Sequence, residues 1–253
     1  MTRRYLMAAL LGLAPFTFAQ TEALPKAETI LDRYVEVTGG KAAYDKRINE
    51  IETGTIELKA QGLKGTYTRY SANPAEAYSI VEIEGVGKIE DGIDKGVAWD
   101  KNPMLGPKIK SGMEKAQYVR EATFNSPLHW RELNSKVETT GTETIDGEVC
   151  YKVVLTPTEA LPETMYFQKK SGLAVKTVAT VVSAMGEAPV EMLASDYKNW
   201  GGIMGFTKIT QKLAGQEIVI TIQDVKTNQP MPPGRFDPPS EIKALLSKAA
   251  EKK

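Results

Sequence analysis

Two periodicities divide the chain. Apolar residues recur at helical spacing from Ala27 to Thr38, with charged residues on the opposite face, and this spacing predicts an amphipathic helix. Gly39 and Gly40 end the helix, because glycine adopts left-handed backbone angles without a Cβ penalty. A short helical turn is predicted over residues 41–46, and alternation of apolar and polar residues replaces the helical spacing after it.

The rest of the chain is dominated by stretches rich in Thr, Val, Ile and Tyr that alternate with turn signals, a pattern typical of β-strands. Predicted strands cover residues 50–60, 64–72, 77–84, 86–93, 95–101, 136–145, 148–156, 163–169, 173–183, 189–199, 203–213 and 216–226. Such short connections favour antiparallel pairing. This many strands exceed what a flat open sheet carries without curling. The sequence therefore predicts a mostly β (α+β) fold with a single antiparallel, strongly curved sheet or incomplete barrel.

A helical insertion over residues 102–134 separates two blocks of strands. Pro and Gly residues predict a loop over residues 103–107, and residues 114–123 have helical spacing. A Pro-rich segment follows the last strand, and residues 240–253 are predicted to form a final short helix and a tail. No change of composition splits the chain, so we expect one domain over residues 20–253.

The first residues have the pattern of a cleavable signal peptide over residues 1–19. Arg3 and Arg4 precede a short apolar run, and a small residue, Ala19, lies where a signal peptidase reads the chain. The run is shorter than the about 20 residues that a membrane-spanning helix needs. We expect cleavage after Ala19 or Gln20, export to the periplasm and, with no Cys near the cleavage point, no lipid anchor.

The charge balance argues against a nucleic-acid partner. The chain has 32 basic and 32 acidic residues, and removal of Arg3 and Arg4 leaves a small acidic excess. A nucleic-acid surface needs concentrated basic charge, and binding to anionic lipid headgroups needs a basic face.

Few residues could support catalysis or metal binding. Cys150 is the only cysteine, so an intrachain disulfide is excluded, and its strand-like surroundings predict a buried structural thiol. His129 is the only histidine, and no Gly-x-Ser-x-Gly elbow accompanies it. A zinc site draws on several His or Cys ligands. We therefore expect no catalytic residue, no metal and no cofactor.

Aromatic and methionine residues concentrate around the insertion and near residue 200. Met-rich surfaces adapt to irregular apolar partners, and a curved sheet can enclose an apolar cavity. Each residue could instead belong to the ordinary core. The residues predicted to line a cavity and its lid are Trp99, Met104, Tyr118, Phe124, Leu128, Trp130, Trp200 and Phe206.

A series of short motifs in order resembles the LolA-like superfamily, which includes outer-membrane lipoprotein-sorting and lipoprotein carrier proteins. The motifs are Ile30-Leu31-Asp32-Arg33-Tyr34 before Gly39-Gly40, Gly96-Val97-Ala98-Trp99, Thr144-Ile145-Asp146-Gly147, Cys150-Tyr151-Lys152-Val153, Met165-Tyr166-Phe167, Ser171-Gly172-Leu173, Ser195-Asp196-Tyr197 and Phe236-Asp237-Pro238-Pro239.

The resemblance implies an unclosed β-barrel with a helical lid over its apolar concave face. It also implies non-enzymatic carriage of acyl chains of lipoproteins or other lipids, with envelope donor and acceptor proteins as partners. Residues 102–134 are the expected lid, with the first helix as its partner, and a shuttle of this kind is expected to be a monomer. Two alternatives remain: an interaction module with a side-chain-filled interior that docks an envelope protein, and a lipid hydrolase with a nucleophile near His129.

Overall fold

The computed structural model of the protein describes residues 23–183 and 185–251. The predicted signal peptide, residues 1–19, and its cleavage point lie outside the described residues, as do the last two residues of the predicted tail.

Antiparallel strands make up most of the described chain. The first block is β1 (Asn49–Leu58), β2 (Leu63–Ala72), β3 (Glu76–Ile83), β4 (Gly87–Asp94), β5 (Val97–Asn102) and β6 (Gly106–Ile109). The second block is β7 (Asn134–Ile145), β8 (Glu148–Pro157), β9 (Glu163–Gln168), β10 (Ala174–Ser183), β11 (Gly186–Ser195), β12 (Lys198–Trp200), β13 (Ile203–Gly205), β14 (Lys208–Leu213) and β15 (Gln216–Thr227).

Helices flank and interrupt the strands. They are α1 (Ala27–Val37), α2 (Gly40–Asp45), α3 (Gly112–Ala122), a 3-10 turn (Ser126–His129), α4 (Trp130–Leu133) and α5 (Ser240–Ala250). No helix within residues 23–183 and 185–251 has the length and apolar character needed to cross a membrane.

Thirteen strands form one sheet, in the order β6-β5-β4-β3-β2-β1-β15-β14-β11-β10-β9-β8-β7. Most neighbours in the sheet are neighbours in sequence, because tight turns join them. Asp146 and Gly147, for example, both have positive φ, 49° and 82°, as a two-residue hairpin turn requires. Pairing of β1 with β15 joins the two blocks, which confirms the predicted single antiparallel sheet.

The contacts of α3 show how strongly the sheet curls. Tyr118 on α3 donates a hydrogen bond to Asp91 on β4, and Gln117 donates to the carbonyl oxygen of Thr180 on β10 at 2.6 Å. Seven strand spacings separate β4 from β10, or roughly 34 Å across a flat sheet. A helix is only about 10–12 Å wide, so the sheet must wrap around α3. Its edges, β6 and β7, are not paired with each other among the described residues, so the barrel is unclosed.

Helices cover part of the concave face, and the C-terminal segment covers part of the convex face. On one side, α1 packs on β7 to β9, where its Ile30 and Leu31 join the same cluster as Phe167 of β9. On the other side, α3 packs on β3 to β5. Outside, α5 lies against β6, and Lys101 Nζ on β5 is 2.6 Å from Glu241 Oε1 on α5.

Two regions differ from the prediction. Residues 103–107 were predicted as a loop. Residues 106–109 instead form β6, because they pair with residues 99–102 of β5. The strands predicted over residues 189–199 and 203–213 are both broken: β12 and β13 form a separate small hairpin between β11 and β14. Gly201 and Gly202, both at positive φ, turn that hairpin onto the end of α1, where Met204 N donates to Thr38 O at 2.9 Å.

Candidate functional site

The register of the sheet identifies the side chains on the concave face. Ala77 and Ile93 contact α3, and pairing through β2 places Glu50 in the same row. Side chains alternate between faces along a strand, so Glu52, Ile56 and Leu58 of β1 lie on the concave face as well.

One end of the concave face is a band of apolar side chains from four adjacent strands. Ile56 pairs with Ile220, Ile220 pairs with Ile209, and Leu58 pairs with Ile218. The other members of the band are Leu213, Met192 and Val190. Most of these side chains are half-buried although they point into the curve of the sheet, because neither α1 nor α3 covers this end. They form an apolar surface that solvent reaches.

An open cleft lies at the hairpin ends of β2, β3 and β4, and most of the side chains that line it belong to the convex face. Ile56 pairs with Gly65, and Gly65 pairs with Ile83. The cleft has a volume of about 530 Å³ and is lined by these last two residues together with Lys64, Thr66, Glu82, Glu84, Gly87 and Lys88. That volume lies within the range of small-molecule sites, about 300–1,000 Å³.

A band of charged and hydroxyl side chains crosses the concave face next to the apolar band, beneath α3. Glu52, Arg69, Ser79 and Asp91 lie in one register row across β1 to β4. Arg69 Nη1 donates to Ser79 Oγ at 3.3 Å, and Tyr67 OH donates to Glu52 Oε2 at 3.3 Å. The concave face is therefore amphipathic along the strands.

Two carboxylates beside this charged band, those of Glu50 and Glu121, sit in an environment that disfavours ionisation. Burial, followed by the charge of Glu52, raises the pKa of Glu50 to about 7 although Arg47 Nη2 lies 2.5 Å from its carboxylate. Burial also raises the pKa of Glu121 on α3. Glu121 is nevertheless exposed to solvent.

The raised pKa of Glu50 predicts a pH-dependent stability. Between the ordinary glutamate pKa of about 4.3 and a pKa of about 7, the folded state binds more protons than the unfolded state. The free energy of unfolding therefore falls as pH rises through this window and stays low above it. Glu50→Gln removes the ionisable group but keeps an oxygen for Arg47. We expect the Tm of the variant minus that of wild type to increase from pH 5 to pH 8. The increase should be about 2–4 °C for each kcal/mol by which ionised Glu50 destabilises the wild-type fold.

Thermal unfolding followed by circular dichroism at both pH values measures this difference. Glu82→Gln, which neutralises an exposed carboxylate on the convex face, is the control and should shift little. A Glu50→Gln Tm difference that is the same at pH 5 and pH 8 would contradict the assignment.

Polar side chains hold α3 across the concave face. Gln117 accepts from Val182 N at 3.0 Å as well as donating to Thr180 O. Arg120 Nη2 lies 2.5 Å from Glu163 Oε1 on β9. Of the residues of α3, only Ala122 is buried. The helix is thus attached mainly by hydrogen bonds and an ion pair rather than by a large apolar face.

Comparison with known proteins identifies this architecture. No protein-family model matches the chain, and no curated protein matches its sequence. Solved structures match it. A LolA superfamily protein from Nitrosomonas europaea is 14% identical, with a TM-score of 0.56 over 85% of this chain and 99% of that one. The chain has the LolA-like fold.

Two further structures have the same LolA-like fold. A DUF1329 family protein from Desulfovibrio piger is 14% identical, with a TM-score of 0.56 over 83% of this chain and 97% of that one. A proposed outer membrane lipoprotein-sorting protein domain from Vibrio parahaemolyticus is 15% identical, with a TM-score of 0.53 over 87% of this chain and 99% of that one. At these identities the likeness concerns the fold, which confirms the structural part of the resemblance inferred from the motifs.

The LolA-like fold does not bring the eight predicted cavity residues to one place. Trp99 is fully buried on the convex face, where its ring centroid lies 5.7 Å from that of Tyr78. Met104 lies in the turn between β5 and β6 and is 82% exposed. Leu128 is half-buried in the 3-10 turn. A binding role for these three stays a prediction, and Trp99 lies on the opposite side of the sheet from the apolar band.

Three of the eight residues border the concave side. Tyr118 packs with α3 on β3 to β5. Phe124 is buried beneath Arg47, whose Cζ lies 5.2 Å from the ring centroid. Trp130 joins the cluster around α1 and donates from Nε1 to Asp32 Oδ1 at 3.2 Å.

The last two predicted cavity residues lie at the small hairpin. Trp200 ends β12, with Lys198 Nζ 4.2 Å from its ring centroid. Phe206 follows β13 and meets Tyr197 edge to face, with ring centroids 6.1 Å apart. Both are half-buried.

The two reactive side chains have ordinary surroundings. Among the described residues, His129 hydrogen bonds to Glu132 through Nδ1, at 3.2 Å from Oε2. Its partner is thus a carboxylate and not a Ser, Thr or Cys nucleophile. Cys150 is fully buried on the convex face with Tyr166 and Ile145, as predicted, and burial raises the pKa of its thiol. The described residues contain no group of three or more His, Cys, Asp and Glu side chains that could hold a metal ion.

Proposed function

We propose that the protein is a non-enzymatic carrier that binds acyl chains of lipoproteins or other lipids on its concave face. The observation that supports this most strongly is the apolar band around Ile209, Ile218 and Ile220, whose half-buried side chains are reached by solvent inside a curved sheet. Burial of each methylene of an acyl chain there would contribute about 0.8 kcal/mol. The LolA-like fold is the second support, since one structure that shares it is described as a lipoprotein-sorting domain.

The proposed setting is the periplasm, after export on the signal peptide predicted over residues 1–19. There the carrier acts as a monomer between envelope donor and acceptor proteins. Its lid is the segment 102–134, and within that segment α3 is the part that crosses the concave face.

Binding of an uncharged fluorescent acyl probe tests the proposal. We expect saturable binding by wild type and a loss of at least about tenfold in affinity for Ile220→Asp, because contact of an Ile side chain with the acyl chain is worth about 1.5–3 kcal/mol and tenfold is 1.4 kcal/mol. Thr221→Asp is the matched control. It adds the same charge at the next position of β15, on the convex face, and should leave affinity unchanged.

Ile220→Ala tests the same position without a charge and should weaken binding by a smaller factor. Circular dichroism of all three variants confirms that each is folded. Absence of saturable binding by wild type, across probes of several chain lengths, would exclude the carrier function.

The interaction module is the second candidate. It is favoured by one observation: side chains of α1 and α3 already fill a large part of the concave face. On this alternative the apolar band contacts a segment of an envelope protein and does not bind free lipid.

A further inference from the structure

Two hairpin tips of the sheet carry exposed apolar side chains. Met185, in the turn between β10 and β11, is 87% exposed. Met104 and Leu105, in the turn between β5 and β6, are 82% and 61% exposed. These are the three most exposed large apolar side chains among the described residues. Single exposed apolar residues are ordinary on a protein surface, so the significance of these three depends on where they lie.

Both tips lie at the same end of the barrel. Strand β1 ends at Leu58 and turns there into β2. Antiparallel pairing carried from β1 to β5 and from β1 to β10 places the turns that follow β5 and β10 at this end too. We call it the open end, because Leu58 and Ile218 of the apolar band pair here and neither α1 nor α3 covers them. The tips therefore extend from the end at which the apolar band lies.

Helix α3 connects the two hairpins across the curve of the barrel. Gln117 accepts a hydrogen bond at 3.0 Å from the backbone N–H of Val182, three residues before Met185. One turn earlier in α3, Glu114 Oε2 lies 2.5 Å from Lys108 Nζ on β6. The two hairpins are thus close in space, although most of the sheet lies between them in strand order. One surface can contact both tips.

The two tips are uncharged, unlike the neighbouring hairpins at the open end. No Asp, Glu, Lys or Arg occurs in residues 103–107 or in residues 177–186. The turns of the neighbouring hairpins begin or end with charged residues, namely Lys59, Lys64, Glu84, Lys88, Lys212 and Glu217. Transfer of a charged side chain out of water is costly. The two apolar tips are therefore the parts of the open end that enter an apolar medium at low cost.

We propose that the open end docks on a phospholipid bilayer and that Met104, Leu105 and Met185 insert into it. A bilayer is fluid and closes around each tip separately, whereas a protein partner would need two pockets at a matching spacing. Methionine also adapts to irregular apolar surroundings. The inference goes beyond the proposed carrier function, because the tips lie in turns outside the concave face and their insertion needs no bound ligand. Docking in this orientation places the apolar band next to the lipids.

The lysines of the open end give no comparable electrostatic attraction to anionic head groups, because carboxylates of the same protein lie beside them. Lys59 Nζ is 2.7 Å from Glu57 Oε2, and Lys88 Nζ is 2.8 Å from Glu90 Oε1. Membrane binding of a surface segment scales with its buried apolar area and with its attraction to anionic lipids. For this protein the first contribution should dominate, so docking should depend little on the charge of the lipid.

Co-sedimentation with phospholipid vesicles tests the docking. We expect the purified mature protein to bind vesicles of phosphatidylcholine alone about as well as vesicles that also contain phosphatidylglycerol, and salt to have little effect. Met185→Asp and the double variant Met104→Asp/Leu105→Asp should each lower the partition coefficient at least about tenfold. Tenfold corresponds to about 1.4 kcal/mol, which is less than burial of one Met or Leu side chain contributes.

Ile48→Asp is the matched control. Ile48 is 60% exposed and immediately precedes β1, at the opposite end of the barrel, so the same kind of substitution there should leave vesicle binding unchanged. Met185→Leu keeps an apolar tip and should bind vesicles as wild type does. Substitutions at exposed sites change stability little, so all of these variants are expected to fold, and thermal unfolding checks that they do.

The outcomes separate this proposal from the carrier function. Failure of wild type to sediment with either kind of vesicle would overturn the docking and leave the carrier function standing, since probe binding is measured without vesicles. Binding that requires phosphatidylglycerol and disappears at high salt would overturn the insertion of the tips. Equal losses for Ile48→Asp and Met185→Asp would overturn the assignment of the open end. Met185→Asp should bind the fluorescent acyl probe as wild type does.

Discussion

Replacement of Trp99 by Ala should lower the free energy of unfolding by about 3–5 kcal/mol, the usual cost of removing a large buried aromatic side chain. Trp99 has no exposed surface, and its indole fits so closely over β4 that a Cβ added at Gly92 would lie 2.7 Å from Cζ2. The cavity left by the mutation is therefore large. Guanidinium unfolding followed by circular dichroism measures the change.

The cover over Trp99 is the reason for so large an effect. The C-terminal segment crosses this face of the sheet, with Arg235 Cζ 4.3 Å from the ring centroid of Tyr70 and Ile242 fully buried. Met104→Ala, in the exposed turn of the same β-hairpin, is the control and should change stability by less than about 0.5 kcal/mol. A loss below about 1 kcal/mol for Trp99→Ala would mean that the C-terminal segment does not enclose the indole.

The position of Trp99 also shows which structural feature could not be predicted from the sequence. The strand itself was predicted, with bounds 95–101 against the observed 97–102. The side of the sheet on which Trp99 lies was not predicted correctly, because Ala98 and Trp99 are both fully buried. Helix α3 covers one side of β5, and the C-terminal segment covers the other. Alternation identifies a buried face only where the other face is polar. The covering elements lie far from Trp99 in sequence, and local periodicity contains no information about them.

The same limit explains why the apolar band was missed. Strands over residues 50–60 and 216–226 were predicted, and their apolar positions, such as Ile56 and Ile220, alternate as expected. Assignment of those positions to the concave side needs the pairing of β1 with β15, which joins residues more than 150 positions apart. The aromatic residues that the sequence places in clusters, such as Phe124, Trp130 and Phe206, instead pack helices and hairpins together in the structure.

Phe167→Ala should cost about as much as Trp99→Ala, about 3–5 kcal/mol, but on the concave side. Phe167 is fully buried and meets Tyr34 of α1 edge to face, with ring centroids 5.4 Å apart. Ile30 and Leu31 pack into the same cluster. The mutation removes the centre of the surface on which α1 rests, so amide hydrogen exchange should become faster throughout that helix. Val149→Ala, an exposed site on β8, should alter neither stability nor exchange.

This prediction separates the roles of the two helices on the concave face. The apolar contact of α1 makes opening costly, whereas α3 buries only Ala122 and is attached through Gln117 and Arg120. Regions with few buried apolar contacts open at lower free energy. In wild type, amides of α3 should therefore exchange faster than those of α1, and only α1 should respond to Phe167→Ala. Faster exchange in α1 than in α3 before any mutation would reverse the assignment. On the proposed function, α3 is then the element that moves to admit an acyl chain, while α1 remains part of the wall against which the chain packs.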